Sequence, residues 1–302
     1  IIRIQTIMSL IDQVIRPDVR AMSAYAVADS EGFLKLDAME NPYTLPQALK
    51  VELASRLVNV ALNRYPVPSY TNLKAKICRC MGIPEGYGIM LGNGSDELIS
   101  LVAQACATKD HPAKMIAPVP GFVMYALSAQ FAGMEFIGIP LKTDFTLDTE
   151  AMLSAIEEHR PAVVYLSQPH NPTGTLFEEK DVIRIIEAMS DKGIVISDEA
   201  YQPFAEASFM SKLPVYPNLV VMRTVSKLGL AGIRLGYMSA TAELLAEFDK
   251  VRPPYNVNVL TEATAEFAMD HIDVFNRQAA IIRSEREKLA QALEKLPGVE
   301  VF

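Results

Sequence analysis

A single lysine, Lys227, stands between the small hydroxyl of Ser226 and a run of apolar and glycine residues in TVSKLGLAGIRLGY (224–237), and Arg234 follows seven residues on. Two other short stretches carry groups of complementary chemistry: SQPHNPTG (167–174) holds Asn171, and SDEAYQPF (197–204) holds Asp198 and Tyr201. Singly, each has an ordinary reading. Asn171 beside Pro172 and Gly174 is turn chemistry, Asp198 could cap a helix, and Lys227 could be a solvated charge. Together they supply an amide, a carboxylate, a phenol and an amine, a set able to form and stabilise an imine.

The elements that must position these groups are legible in the hydrophobic pattern. AVVYLSQ (162–168), GIVISDEA (193–200) and LVVMRTVS (219–226) are continuous apolar runs that turn polar at their ends, as expected of buried parallel strands whose carboxyl ends open onto a site. Between the first two, FEEKDVIRIIEAMSDKG places Val182, Ile183, Ile185, Ile186 and Met189 at helical spacing, which predicts a right-handed crossover helix. The amide, carboxylate, phenol and amine therefore converge on one crevice. A lysine that forms an imine, with an acid that keeps a pyridine nitrogen protonated, is what pyridoxal 5′-phosphate requires of a protein.

A phosphate end needs its own cradle. LGNGSDELISLV (91–102) is a glycine turn feeding a helix, so backbone N–H groups of Gly94, Ser95 and Asp96 would face an anion at the positive helix end. The P-loop ending and the dinucleotide fingerprint are both missing from it. Ser226 and Arg234 could complete the cradle. Phe122, in PVPGFVMY (118–125), offers a ring face, with a core phenylalanine as the alternative.

The order G-S-D-E, P-x-P-x-F-x-x-Y, N-P-T-G, D-E-A-Y and S-K ahead of G-I-R resembles fold-type I pyridoxal-phosphate aminotransferases, from about Tyr25 onward. LDAMENPY (36–43), NRYPVPSY (63–70) and VRPPYNVN (251–258) are similar to pieces of the histidinol-phosphate aminotransferase subfamily. The resemblance implies that Lys227 forms the Schiff base, Asp198 pairs with the pyridine nitrogen, and Asn171 and Tyr201 contact the ring oxygen. It assigns Ser95, Asp96, Ser226 and Arg234 to the phosphate and Phe122 to the ring. Tyr65 would reach the neighbouring subunit's cofactor phosphate, which implies a homodimer with shared active sites. Tyr25 would close over the partner's substrate, or else be a turn aromatic. The implied reaction moves an amino group between L-histidinol phosphate and 2-oxoglutarate, yielding glutamate, in histidine biosynthesis. An aromatic amino-acid aminotransferase, a phosphothreonine decarboxylase, and a nucleotide-binding or ligand-sensing protein are the alternative readings.

The fold class expected is α/β: a mostly parallel sheet flanked by helices, with a small second domain truncated at the C-terminus. The expected division is an N-terminal arm and part of the small domain over 1–45, a large cofactor domain over 46–260, and an interdomain helix with the start of the small domain over 261–302. Helices are predicted over 45–62, 95–107 and 261–296, strands over 114–120 and 134–140, and a further strand beginning in GVEVF (298–302).

Composition narrows the partners. The chain has 302 residues, half of them hydrophobic, and a net charge of −8, so nothing in the overall charge attracts nucleic acid or an anionic membrane. No apolar run is long enough to span a bilayer. Three cysteines (Cys78, Cys80, Cys106) and four histidines lack metal-site spacing. The cysteines read as reduced thiols of a cytoplasmic protein.

Overall fold

The computed structural model describes residues 9–24, 29–108 and 112–302. These fall into two compact units, 1–38 and 39–302. In the first, the short helices α1 (Leu10–Val14) and α2 (Pro17–Arg20) follow one another, α1 being closed by a capping box between Ser9 and Asp12.

The second unit is built on seven strands: β1 (Gly88–Gly92), β2 (Lys114–Val119), β3 (Glu135–Pro140), β4 (Val163–Ser167), β5 (Ile194–Asp198), β6 (Leu219–Thr224) and β7 (Gly236–Ala240). Their order in the sheet is β1-β7-β6-β5-β4-β2-β3. Pairing is parallel from β6 through β3, and β7 runs antiparallel to both of its neighbours. The expected α/β class and the three inner parallel strands are present. In chain order the helices are α3 (Gln47–Leu57), α4 (Thr71–Met81), α5 (Ser95–Cys106), α6 (Val123–Ala132), α7 (Thr149–His159), α8 (Glu179–Ala188), α9 (Ala242–Asp249), α10 (Val259–Asp270) and α11 (Ile272–Leu293).

Burial explains the strand pattern. Every residue of β4, β6 and β7 is buried, because helices cover both faces, and only a continuous apolar run can satisfy both. Two apolar clusters result. Val195, Leu219, Val221 and Tyr237 pack on one face, and Met90, Tyr125, Tyr165, Ile196, Val220 and Met222 pack on the other. The crossover helix α8 buries Val182, Ile185 and Ile186, each worth roughly 1.5–3 kcal/mol when withdrawn from water.

Two expectations are corrected. The helical stretch 261–296 is two helices broken at His271, whose backbone (φ −118°, ψ 28°) leaves the helical region between α10 and α11. Residues 298–302 form no strand, since no neighbour pairs with them. The terminal Phe302 ring instead packs edge-on against Phe145 at 4.9 Å.

Candidate active site

Strand alternation sends the side chain of Asp198, the last residue of β5, toward the face covered by α5 and α6. There it is buried and accepts a 2.7 Å hydrogen bond from Tyr125 Oη and a 3.1 Å bond from the Ala200 N–H. Burial raises its carboxyl from 3.8 to about 6, against the lowering effect of the Tyr125 and Ala200 bonds; the negative charge of Asp96 adds to the rise. Tyr125 is itself locked. Its ring stacks on Tyr165 at 4.4 Å and meets Phe122 edge-on at 5.6 Å.

Three residues beyond Asp198, Tyr201 is half-buried, and Lys227 Nζ lies 5.3 Å over its ring centroid. Burial raises the Tyr201 phenol, and the Asp198 charge adds to this. Lys227 sits in the turn Ser226–Leu230 that leaves β6. The turn is anchored by Thr224, whose Oγ1 donates to Ser226 Oγ (2.9 Å) or Leu235 O (3.0 Å) and accepts from the Ser226 N–H. Asn171 is half-buried in the turn following β4.

The cradle forms where the N-terminus of α5 meets the start of β7. Gly94 holds φ at +80°, and a Cβ there would lie 2.7 Å from Arg234 Nη2. At Gly236 a Cβ would lie 2.7 Å from the Ser95 nitrogen. Gly94 requires glycine for its left-handed backbone, and Gly236 because the Gly94–Ser95 backbone approaches too closely for a side chain. Arg234 Nη2 in turn donates to Asp96 Oδ2 at 3.1 Å. Ser95, Asp96 and Arg234 thus gather round the start of α5, which Ser95 opens. Ser226 is tied through Thr224 to the carbonyl of Leu235, the residue after Arg234.

Tyr65 stands apart from this cluster. It is 78% exposed and stacks on Tyr255 at 4.6 Å. Tyr25 lies outside the described residues. A cavity of about 270 Å³ occupies the opposite face of the sheet, lined by Glu199, Arg223, Tyr237 and Arg283 among others and touching neither Asp198 nor Lys227. Sequence reasoning assigned no role to Tyr125, Thr224 or Gly236. The phenol three residues after Phe122 was a possible signal for the first, since i and i+3 share a helix face.

The donor set fits pyridoxal phosphate. A buried carboxylate with a raised pKa is stabilised by a cation, which a protonated pyridine nitrogen provides. The glycine-lined helix start suits a phosphate, and the lysine suits an aldehyde. Among the described residues no group of His, Cys, Asp and Glu could hold a metal ion.

The chain belongs to the aminotransferase class I and II family, whose pattern matches residues 31–302. Within that class it is 59% identical to histidinol-phosphate aminotransferase 2 of Cupriavidus pinatubonensis, over 97% of this chain and 81% of that protein. It is 58% identical to histidinol-phosphate aminotransferase 1 of Burkholderia lata, over 98% and 82%. In fold it is similar to the Sinorhizobium meliloti histidinol-phosphate aminotransferase solved in complex with pyridoxal-5′-phosphate, with a TM-score of 0.80, 22% identity and coverage of 92% and 77%.

Proposed function

We propose that this chain is a pyridoxal-phosphate-dependent histidinol-phosphate aminotransferase, exchanging an amino group between L-histidinol phosphate and 2-oxoglutarate. The observation that carries the reading is the buried Asp198 carboxylate, held by Tyr125 on the strand next to the one that delivers Lys227. The substrate follows from the identity of 55–59% to relatives bearing that name.

When bound, the cofactor supplies an electron sink for the charge left as the substrate Cα loses its proton. Asp198 holds a proton at the ring nitrogen, and Tyr125 Oη keeps that carboxylate oriented. Lys227 Nζ would hold the cofactor's aldehyde and would carry the substrate Cα proton as general base and acid. Asn171 and Tyr201 would donate to the ring oxygen. The backbone N–H groups of Ser95 and Asp96, the Ser226 hydroxyl and the Arg234 guanidinium would hold the phosphate, and Phe122 would shield the ring from water. Tyr65 and Tyr25 serve the neighbouring subunit of a homodimer. We assign residues 46–260 to the cofactor domain, 1–45 to an arm and part of a small domain, and 261–302 to the interdomain helix and the start of that small domain. No helix of the described residues is long and apolar enough to cross a membrane. The three cysteines are free thiols, which supports a cytoplasmic location.

Single-turnover mixing of the loaded protein with L-histidinol phosphate, phosphothreonine or an aromatic amino acid tests the reading. Rapid stoichiometric amine transfer from histidinol phosphate, then glutamate on adding 2-oxoglutarate, is expected. Preference for either of the other donors, or carbon dioxide release, would sink it.

A further inference from the structure

Glu199 follows the last residue of β5 and is buried on the opposite face of the sheet from Asp198, against Arg223 of β6, Ser208 and Phe209. It is fully buried, and every partner donates to it: Arg223 Nη2 at 2.7 Å and Nε at 2.9 Å, Ser208 Oγ at 2.8 Å, the Phe209 N–H at 2.6 Å and, at 3.5 Å, Ser197 Oγ. That is the pattern of an ionised carboxylate. Arg223 also donates to Ser208 Oγ and to the Met81 carbonyl, and Tyr237 faces the same guanidinium. The pair joins the end of β5, from which Asp198 and Tyr201 depart, to the end of β6, from which Ser226 and Lys227 depart.

We propose that Arg223 is a positioning residue for the transamination site: by neutralising Glu199 behind the sheet, it keeps the neighbouring Asp198 in the ionised state that the cofactor's ring nitrogen needs. This inference rests on the role given to Asp198 above. A buried ion pair adds little net stability, whereas its charge balance acts directly on a carboxylate one residue away. An uncompensated negative charge on the residue next to Asp198 disfavours its ionised form and so raises its proton affinity, the direction in which Glu199 already acts. The other charged or titratable groups around Asp198 are Tyr125 on α6, Tyr165 on β4, Tyr201 beyond β5, Asp96 on α5 and, through Asp96, Arg234. Lys227 stands over Tyr201. All but Glu199 and the groups behind it are unchanged in the comparison that follows.

The experiment uses the full chain carrying R223M, E199Q or both substitutions. Infrared pH titration of the Asp198 carboxyl in the cofactor-stripped chain, assigned by subtraction of an Asp198→Asn sample, is read beside the dissociation constant of pyridoxal phosphate. R223M should raise the Asp198 midpoint and weaken cofactor binding at neutral pH. E199Q should lower the midpoint, and the double variant should return near the wild-type value. If R223M does not fold, the opposite-sign shift in E199Q and the return in the double variant still decide. Shifts of the same sign in both single variants, or none in either, would show a merely structural pair and overturn the proposal. Failure of the wild-type chain to bind pyridoxal phosphate would refute the functional reading instead, a result independent of the titration.

Discussion

Replacing Asp198 by asparagine should change the stability of the cofactor-free chain in a way that depends on pH. The carboxyl protonates at about 6 in the folded chain against an ordinary 3.8, burial being the main cause. A folded-state value above the unfolded one means that the group's contribution is fully present below about pH 4 and is lost as pH rises through about 6. The gap of about 2.2 units, 6 minus 3.8, corresponds to about 3 kcal/mol. Roughly half of this is lost between pH 5 and pH 8. The amide introduced by Asp198→Asn would accept the Tyr125 bond without ionising, so D198N should gain on the wild type by about 1.4 kcal/mol between pH 5 and 8. Urea unfolding of both stripped chains across that range measures the difference. Saturating pyridoxal phosphate should reverse the order at pH 8, because the ring cation then offsets the wild-type charge. A difference flat with pH would refute the argument that Asp198 is a buried carboxylate short of a counter-charge.

Tyr125→Phe removes the 2.7 Å bond that lowers the Asp198 carboxyl. A hydrogen bond to a charged group is worth about 1.5–3 kcal/mol, so the acid limb of cofactor binding should move up by about 1–2 pH units; an unmoved limb would remove Tyr125 from the site. Gly236→Ala drives a methyl group into the Gly94–Ser95 backbone. Thermal melting should show a loss of about 1–3 kcal/mol, and affinity should fall more for pyridoxal phosphate than for unphosphorylated pyridoxal. Equal losses for the two would contradict the cradle. Lys227→Ala should abolish turnover while the chain remains folded by circular dichroism, and normal transamination by that variant would rule the lysine out.

The parts of the fold that could be read in advance are those where burial imposes a simple pattern. The runs of β4, β5 and β6 are apolar on both faces, and their polar ends mark the site. By contrast, β1 (GIMLG) and β7 (GYMSA) combine glycine with methionine and are poor in the β-branched residues that signal a strand. They are strands because β7 pairs with β6 and β1 with β7. The break at His271 carries no glycine or proline to announce it, and its ring Nε2 lies 3.3 Å from Glu52 Oε1 on α3, far away in sequence. At the site, local motifs single out Asn171, Asp198, Tyr201 and Lys227, and the structure sets Lys227 Nζ over the Tyr201 ring. Tyr125 has only a weak local signal, its place three residues after Phe122, because its partner Asp198 is 73 residues away. Arg223 lies within the apolar run of β6, and its partner Glu199 is 24 residues away, so no local motif joins them.

Whether Lys227 binds the cofactor across from Asp198 is decided by borohydride reduction of the loaded chain, followed by proteolysis and mass spectrometry. One pyridoxyl label is expected, on the peptide containing Lys227, with labelling lost in Lys227→Ala. A label on any other lysine, or none at saturating cofactor, would contradict the assignment.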